Sequence, residues 1–254
     1  MNLIDIKSPA DLKGLSISEL TDLTEQARQA LMTKVSERGG HCGPPMGVAE
    51  MIMALHYVFN SPVDKIVYDV SHQSYVHKMV TGRALAFLDH NHYDDVTGYT
   101  DPTESDHDFF NIGHTSTSIS LASGLATARN LKGDSENIIA IIGDGSLSGG
   151  EAFEGLDYAA TLDSNMIIIV NDNDQSIAEN HGGLYGGLRE LRETNGESSN
   201  NIFKALGLDY RFVASGNDLE TLIDVFKDVK DIDHPIVLHI VTQKGKGYAI
   251  AEQN

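Results

Sequence analysis

The first apolar pattern in the chain predicts an amphipathic helix over residues 16–38. Ser16 and Glu19 have the spacing of a capping box at its start, and Gly39-Gly40 is a plausible stop. The apolar side chains recur at three- and four-residue steps, which is the period of one helix face. These positions are Ile17, Leu20, Leu23, Ala27, Leu31 and Val35.

Beyond this helix, short apolar runs alternate with helical patterns. The runs are continuously apolar, as expected of strands in a parallel sheet that is covered on both faces. Strand–helix–strand alternation implies right-handed crossovers, so we expect an α/β fold with a doubly wound, mainly parallel sheet. In chain order we predict a helix at 48–59, a strand at 64–71, a polar loop at 89–108, a helix at 118–131, a strand at 137–145, a helix at 150–162, strands at 165–174 and 209–215, a helix at 219–229 and a strand at 234–242.

The bulk composition fits one domain over residues 1–254. The chain is 41% hydrophobic and 22% charged, which suits a single large core. A flexible connection is expected at 192–201, but that stretch is too short to separate two domains. No apolar run approaches the roughly 18 residues of a membrane helix, and no secretory signal is recognisable at the start. The single cysteine, Cys42, fits a reducing compartment, and a bacterial cytoplasm is the natural expectation.

The net charge of −19 restricts the ligands that the surface attracts. Such a field repels nucleic acids and anionic membranes, so we expect neither as a partner. It also repels phosphorylated small molecules. A phosphate site must therefore be local and built from backbone N–H groups, a bound cation or a few lysines.

Polar side chains follow two of the predicted strands at the point where each strand ends. Asp144 comes after one strand and Asn173 after the next, with a single helix between. If these strands are neighbours, both side chains emerge at the carboxyl edge of the sheet, where open α/β folds bind ligands. A carboxylate and an amide oxygen make an incomplete, oxygen-rich site that suits magnesium, with phosphate oxygens and water completing the shell. The backbone carbonyl of Gln175 is a candidate third ligand, and the glycines around Asp144 would allow close approach of a diphosphate.

Several alternatives compete with this interpretation. Gly-Asp-Gly and Asn-Asp-Asn are each ordinary turns when taken alone. A dinucleotide fold would use Asp172 as the acid after the second strand, but the third glycine of G-x-G-x-x-G is replaced by Ser148. The sequence contains neither an HExxH motif nor paired cysteines, so it does not support a zinc site. Cys42 beside His41 suggests a thiol nucleophile only weakly, because sequence neighbours point in different directions.

The Gly-Asp-Gly and Asn-Asp-Asn pair resembles the thiamine-diphosphate motif of transketolase-like enzymes. Further segments are similar to the amino-terminal domain of the 1-deoxy-D-xylulose-5-phosphate synthase family, in order and across nearly the whole chain. They are RGGHCGPPMGVAEMIMALHYVFNSP, DVSHQSYVHKMVTGR, NIGHTSTSISLASGLA, SIAENHGGL and KGKGYAIAE. Transketolase itself matches the histidine-containing segments less well.

The resemblance implies a role for each matching residue. Asp144, Asn173 and the Gln175 carbonyl would hold magnesium, and His41 would transfer protons or position substrate near the reactive carbon of the cofactor. Lys244 would supply positive charge to the site. Thiamine diphosphate would contact His72, Gly113, His114, Thr115, Gly145, Ser146, Asn173, Lys244 and Tyr248. The remaining histidines are weaker candidates: His77, a core or helix-surface His56, and His90, His92 and His107, which are expected to be solvated in the polar loop.

Three features depart from the family pattern. Pro44-Pro45 replaces a small polar residue and could reshape the mouth of the cleft, and Gln175 stands where methionine is usual. The segment between Leu188 and Phe203 is much shorter than in common family members. The last change removes a stretch that could cover the site, so the substrate preference is in doubt.

The resemblance also implies that this chain is half of an enzyme. The complete enzyme would be a homodimer that converts pyruvate and glyceraldehyde 3-phosphate, with a transketolase-type ketol transferase as the alternative. A pyrimidine-binding domain, which supplies a glutamate to the cofactor, would lie in a missing part of the protein or in a separate subunit. We therefore expect no turnover from the chain alone. An NAD-type oxidoreductase and a non-catalytic scaffold are the remaining hypotheses.

Overall fold

A sheet of five parallel strands organises the chain. A computed structural model describes residues 1–174 and 180–248. The strand order is β1-β2-β3-β5-β4, and each neighbouring pair is parallel. This confirms the predicted α/β class and its parallel strands. The strands are β1 (Lys65–Tyr68), β2 (Ile138–Gly143), β3 (Met166–Asp172), β4 (Asp209–Val213) and β5 (Pro235–Val241).

Helices connect the strands and cover both faces of the sheet. In chain order they are α1 (Ile17–Arg38), α2 (Gly43–Gly47), α3 (Ala49–Val58), α4 (Tyr75–Lys78), α5 (Leu85–Leu88), α6 (Ser118–Lys132), α7 (Asp144–Leu147), α8 (Gly150–Ala159), α9 (Gly183–Glu193), α10 (Ile202–Ala205) and α11 (Leu219–Val229). A π-helical turn, Met79–Arg83, follows α4, and short 3-10 turns cover Leu3–Asp5, Pro9–Leu12 and His90–Asp95.

Alternate residues of each central strand enter opposite cores. Ile139 and Ile141 of β2 pack with α1, α3 and α11, whereas Ile138 and Ile142 pack with α6, α8 and α9. Both sets are buried, because helices cover both faces. This two-sided burial explains why the strands are continuous apolar runs in the sequence.

The first helix begins and ends where the sequence predicts. The Glu19 backbone N–H donates to Ser16 Oγ at 3.3 Å, and the Ser16 N–H donates to the Glu19 carboxylate at 2.8 Å. At the other end, Gly39 has φ 78° and Gly40 has φ 130°, a region that favours glycine. These two glycines direct the chain from α1 toward the carboxyl edge of the sheet.

Residues 192–201 have defined structure where the sequence predicts a flexible connection. The first two residues end α9, and a turn follows in which the Gly196 N–H donates to the Leu191 carbonyl at 2.7 Å. The Asn201 side chain then caps α10. The sequence pattern did not predict α9, because three of the eleven residues of this helix are glycines, which lower helix propensity.

The polar loop at 89–108 is anchored by a buried charged cluster. Asp108 accepts hydrogen bonds from His77 Nε2 at 2.7 Å and from Arg83 at 2.8 and 2.9 Å. His77 Nδ1 lies 2.8 Å from His56 Nε2, so both histidines belong to the core. The expectation that His107 is solvated is wrong. Its ring is half-buried and bonds to Ser61 Oγ at 2.9 Å.

The other two loop histidines reach solvent as expected. His90 is exposed, and the side chain of His92 is 41% exposed. Among the helices of the described ranges, 1–174 and 180–248, none combines the length and apolar character that crossing a bilayer requires.

Candidate functional site

The two predicted cation ligands follow strands that are direct neighbours. β2 and β3 pair in parallel, with Gly143 opposite Asn171. Asp144 begins α7 immediately after β2, and Asn173 is the first residue after β3. Both side chains line one cavity of about 530 Å³ at the carboxyl edge of the sheet. The crossover geometry expected from the sequence is therefore present.

This cavity gathers most of the residues singled out in the sequence. Eight of them line it, together with six residues from the same loops. The eight are His41, His72, Thr115, Asp144, Gly145, Ser146, Asn173 and Lys244, and the six are Gly40, Cys42, Pro44, Val70, Gln73 and Gly143. Other depressions of about 590 and 810 Å³ are formed by surface residues away from these strand tips. The candidate site is therefore the cavity of about 530 Å³, where the polar groups converge.

Three candidate residues lie outside the cavity lining, and a fourth is not described. Gly113 and His114 are exposed beside it, with His114 Nδ1 2.8 Å from the Thr115 carbonyl. Tyr248 is 38% exposed and does not line the cavity either. Gln175 lies outside the described residues, so its carbonyl stays a prediction.

Asp144 is buried at the cavity floor, where its charge is costly. Its carboxylate accepts a hydrogen bond from Asn180 Nδ2 at 2.8 Å. Burial, reinforced by the negative charge of Asp172, raises the pKa of Asp144 above its usual range. A carboxylate in such surroundings gains most from a cation that would replace the lost solvation.

The loop after Asp144 is held close to the start of α6. Ser116 Oγ donates to the Ser146 carbonyl at 2.7 Å, and a Cβ on Gly149 would collide with Ser116 Oγ. Asp69 fixes the other side, because its two carboxylate oxygens accept the N–H groups of Ser116 and Ser118, each at 2.9 Å. The backbone around Gly145 is thus fixed without a side chain between it and the cavity.

Two histidine rings meet at the cavity mouth. The His41 ring centroid lies 5.0 Å from that of His72 and 6.0 Å from that of Tyr99. Burial, with the nearby His41 and Lys244, lowers the pKa of His72 to about 4. His72 Nδ1 is buried and has no hydrogen-bond partner within the described chain. A neutral imidazole with an unsatisfied nitrogen in a cavity is well suited to accept or donate a hydrogen bond to a ligand.

The loop that carries Lys244 packs tightly on α2. The Gly245 N–H donates to the Gly43 carbonyl at 3.1 Å, and a Cβ on Gly47 would lie 2.9 Å from the Gln243 carbonyl oxygen. This packing places Lys244 in the lining of the cavity that also contains Asp144. A local positive charge therefore exists in a chain whose overall charge is strongly negative.

Cys42 also lines the cavity, but its surroundings disfavour a thiolate. Its sulfur lies 3.3 and 3.4 Å from the sulfurs of Met32 and Met46. Burial raises the pKa of the Cys42 thiol. The thiol therefore stays protonated near neutral pH and is a poor nucleophile.

Acid should destabilise the fold through its buried neutral histidines. Burial, with the nearby His77 and Arg83, lowers the pKa of His107 to about 4. Between pH 6.5 and 4 the unfolded state therefore binds the extra proton, and stability falls as the pH falls. As the pH is lowered from 6.5 to 4.5, the free energy of unfolding should fall by about 1 kcal/mol less in His107→Gln than in the wild type. This figure allows for the partial exposure of the His107 ring.

Urea unfolding at several pH values measures this difference. The exposed His90→Gln is the matched control and should follow the wild-type curve. Parallel curves for His107→Gln and wild type would show that the His107 ring does not resist protonation.

Several residues of the site could not be found by sequence reasoning. Tyr99 faces His41 from the polar loop, and Asn180 reaches Asp144 from beyond β3. Both lie far along the chain from the residues that they contact. Val70 and Gln73 lie in the loop that begins after β1, where a strand-tip argument like the one used for Asp144 could have identified them.

Comparison with known proteins places the chain in one family. The family model described as 1-deoxy-D-xylulose-5-phosphate synthase matches residues 3–199 and 194–242. Two proteins named 1-deoxy-D-xylulose-5-phosphate synthase are similar over 99% of this chain. The one from Caldanaerobacter subterraneus subsp. tengcongensis is 42% identical over 287 residues, and the one from Listeria monocytogenes is 44% identical over 258 residues.

The chain spans less than half the length of these curated relatives, 46% and 42% respectively. The two matches of the family model meet at 194–199, within the segment predicted to be shortened. A transketolase mutant from Pichia stipitis has the same fold, with a TM-score of 0.69 and 18% sequence identity. That likeness covers 92% of this chain and 37% of the transketolase chain.

Proposed function

Since this chain belongs to the 1-deoxy-D-xylulose-5-phosphate synthase family, we propose that it is the magnesium- and diphosphate-binding half of a thiamine-diphosphate-dependent transferase. In this proposal its 254 residues form one diphosphate-binding domain. The observation that carries the proposal is the convergence of Asp144 and Asn173 on one cavity from the tips of neighbouring parallel strands.

The donor set fits magnesium bound to a diphosphate. Asp144 and Asn173 offer one carboxylate and one amide oxygen, the hard ligands that this ion prefers. In the described ranges, no group of three or more His, Cys, Asp or Glu side chains could hold a metal. A cation at Asp144 would therefore share its shell with oxygens from elsewhere, such as those of a diphosphate, water or the Gln175 carbonyl.

The cavity walls fit the rest of the cofactor. Gly145 and Ser146 present backbone to the diphosphate, and Lys244 opposes its negative charge. The buried, unsatisfied Nδ1 of His72 supplies a hydrogen-bonding group inside the cavity. We assign Gly113, His114, Thr115 and Tyr248 to the rim, where they would contact parts of thiamine diphosphate that extend toward the second half of the enzyme.

His41 is assigned the proton-handling role at the mouth. When bound, thiamine diphosphate would supply a carbon nucleophile for a carbonyl group and would stabilise negative charge on the former carbonyl carbon. The His41 ring is exposed and lies beside His72 and Tyr99, so it can exchange protons with a substrate that enters from solvent. The pKa of His72 is lowered to about 4, so its ring stays neutral near pH 7. His72 can therefore position a ligand by hydrogen bonding without adding a charge.

The complete enzyme would need a partner. A pyrimidine-binding domain, in a longer protein or a separate subunit, would close the cavity, and the whole would form a soluble, cytoplasmic homodimer. Its reaction would join a two-carbon unit from pyruvate to glyceraldehyde 3-phosphate with loss of CO2. The family supports this reaction over a transketolase-type ketol transfer, because the transketolase likeness shows the fold alone.

Calorimetry with thiamine diphosphate, with and without magnesium, tests the proposal. We expect weak binding that requires the metal, with a Kd in the range of tens to hundreds of micromolar, because half of the cleft comes from the partner. Addition of NAD should have no effect. Stabilisation by NAD but not by thiamine diphosphate with magnesium would instead favour a nucleotide-dependent oxidoreductase.

A reconstitution experiment separates a catalytic half from a non-catalytic scaffold. The chain should show no turnover alone. Turnover should appear when the chain is combined with the pyrimidine-binding part of a family member. Failure to bind cofactor even in that complex would favour the scaffold hypothesis.

A further inference from the structure

Residues 180–192 contact both strand tips of the site. Asn180 Nδ2 donates to Asp144 at 2.8 Å, and Tyr185 Oη donates to the Gly145 carbonyl at 3.3 Å. At the far end of α9, Arg192 reaches the other strand tip. A single helix therefore contacts the loops that carry both proposed magnesium ligands.

Arg192 bonds to the residues on either side of Asn173. Its Nη1 donates to the two carboxylate oxygens of Asp172 at 2.9 and 2.7 Å, and its Nη2 donates to Asp174 at 2.8 Å. The Arg192 side chain is only 17% exposed and that of Asp172 is fully buried. Asp174 has φ 60°, a left-handed conformation that this bridge helps to hold.

Asp172 is fully occupied and is therefore not available to a metal. Besides Arg192, its carboxylate accepts the Asp174 N–H at 3.0 Å and lies 2.7 Å from His239 Nε2. The Tyr210 hydroxyl lies 2.8 Å from His239 Nδ1. The Tyr210 hydroxyl can donate to Nδ1 while Nε2 donates to Asp172, so both ring nitrogens of His239 are satisfied. Of the three neighbouring residues Asp144, Asp172 and Asn173, Asp144 and Asn173 line the cavity and Asp172 does not.

We propose that Arg192 is a positioning residue that fixes Asn173 and makes metal capture depend on the diphosphate. Its two-pronged bridge holds the backbone on both sides of Asn173, which sets the direction of the amide. Its charge also balances Asp172 and Asp174, beside the third carboxylate at Asp144. Without that charge, three carboxylates would attract a bare divalent cation and repel a diphosphate. This inference rests on the proposed function of the site.

Two substitutions separate the charge from the bridge. Arg192→Met keeps much of the side-chain volume but removes both, and Arg192→Lys keeps the charge without the planar fork. Arg211→Met is the matched control, because it breaks a surface ion pair with Asp228 at 3.0 Å on exposed side chains. Urea unfolding of each variant identifies those that fold.

Manganese binding, measured by electron paramagnetic resonance with and without thiamine diphosphate, distinguishes positioning from general destabilisation. We expect Arg192→Met to bind bare Mn²⁺ several-fold more tightly than wild type and the cofactor with metal at least 10-fold more weakly. Arg192→Lys should match wild type for bare Mn²⁺ and bind the cofactor with intermediate affinity. Arg211→Met should match wild type in both.

The possible failures point to different causes. If both affinities of Arg192→Met change in parallel, or neither changes, the proposal for Arg192 is wrong while the site itself stands. If wild type shows no metal-dependent cofactor binding, the proposed function fails instead. The bare Mn²⁺ comparison still decides whether Arg192 controls metal capture in that case.

Discussion

Asp144→Ala should abolish magnesium-dependent binding of thiamine diphosphate. Asp144 is the buried carboxylate at the cavity floor and the one charged ligand that we assign to the ion. Loss of even an outer-sphere partner of a metal typically costs about 10–100-fold in affinity, so we expect a loss of more than about 100-fold for this direct ligand. Calorimetry on the wild type and the variant measures the change.

The variant should nevertheless fold. Burial and the charge of Asp172 disfavour the ionised form of Asp144 in the free chain, so its removal relieves an unfavourable charge at the cost of its hydrogen bonds with Asn180, the Gly145 backbone and Asp172. Asp157→Ala, an exposed aspartate on α8, is the matched control and should bind like wild type. Binding that survives Asp144→Ala, or that never needed the metal, would remove the basis of the proposed site.

Asp108→Ala should strongly destabilise the fold. Burial alone would raise the pKa of Asp108, but the hydrogen bonds from His77 and Arg83 outweigh it and hold the pKa well below its usual range. Removing one partner of a buried charged pair costs about 3–5 kcal/mol. For a chain of this size that corresponds to a melting temperature lower by roughly 10 °C.

Thermal and urea unfolding measure the effect, and Asp106→Ala is the control. Asp106 is exposed in the same loop, so the unfolding free energy of Asp106→Ala should lie within about 0.5 kcal/mol of the wild-type value. A loss below about 1 kcal/mol for Asp108→Ala would contradict the view that this cluster anchors the loop. That loop also carries Tyr99 to the His41 ring, so cofactor affinity should weaken with it.

The sequence was sufficient for the features that depend on local chemistry. Apolar periodicity predicted the central strands and α1. A strand that is buried on both faces is apolar throughout, whereas a helix that is buried on one face has apolar residues at three- and four-residue steps. Ser16 and Glu19 marked the helix start, since capping is a contact between residues three apart. The glycine, aspartate and asparagine at two strand ends indicated a cation site, because parallel strands bring their carboxyl ends to one edge.

Features of low local propensity were harder to predict. The helix α9 contains three glycines, and its helical state depends on packing and on contacts at both ends, such as the one between Tyr185 and Gly145. His107 was expected in solvent because its neighbours in sequence are polar. Its burial depends on Ser61, which lies 46 residues away.

The sequence by itself determined the fold class, the family and the chemistry available at the strand ends. Only the tertiary structure decided that Asp144 and Asn173 line the cavity, and that the Asp172 carboxylate is instead bonded to Arg192 and His239. The physical reason is that side-chain types and short-range periodicity are written along the chain. Partners 20 to 67 residues apart, such as Arg192 and His239 on Asp172, are brought together only by packing of the whole sheet.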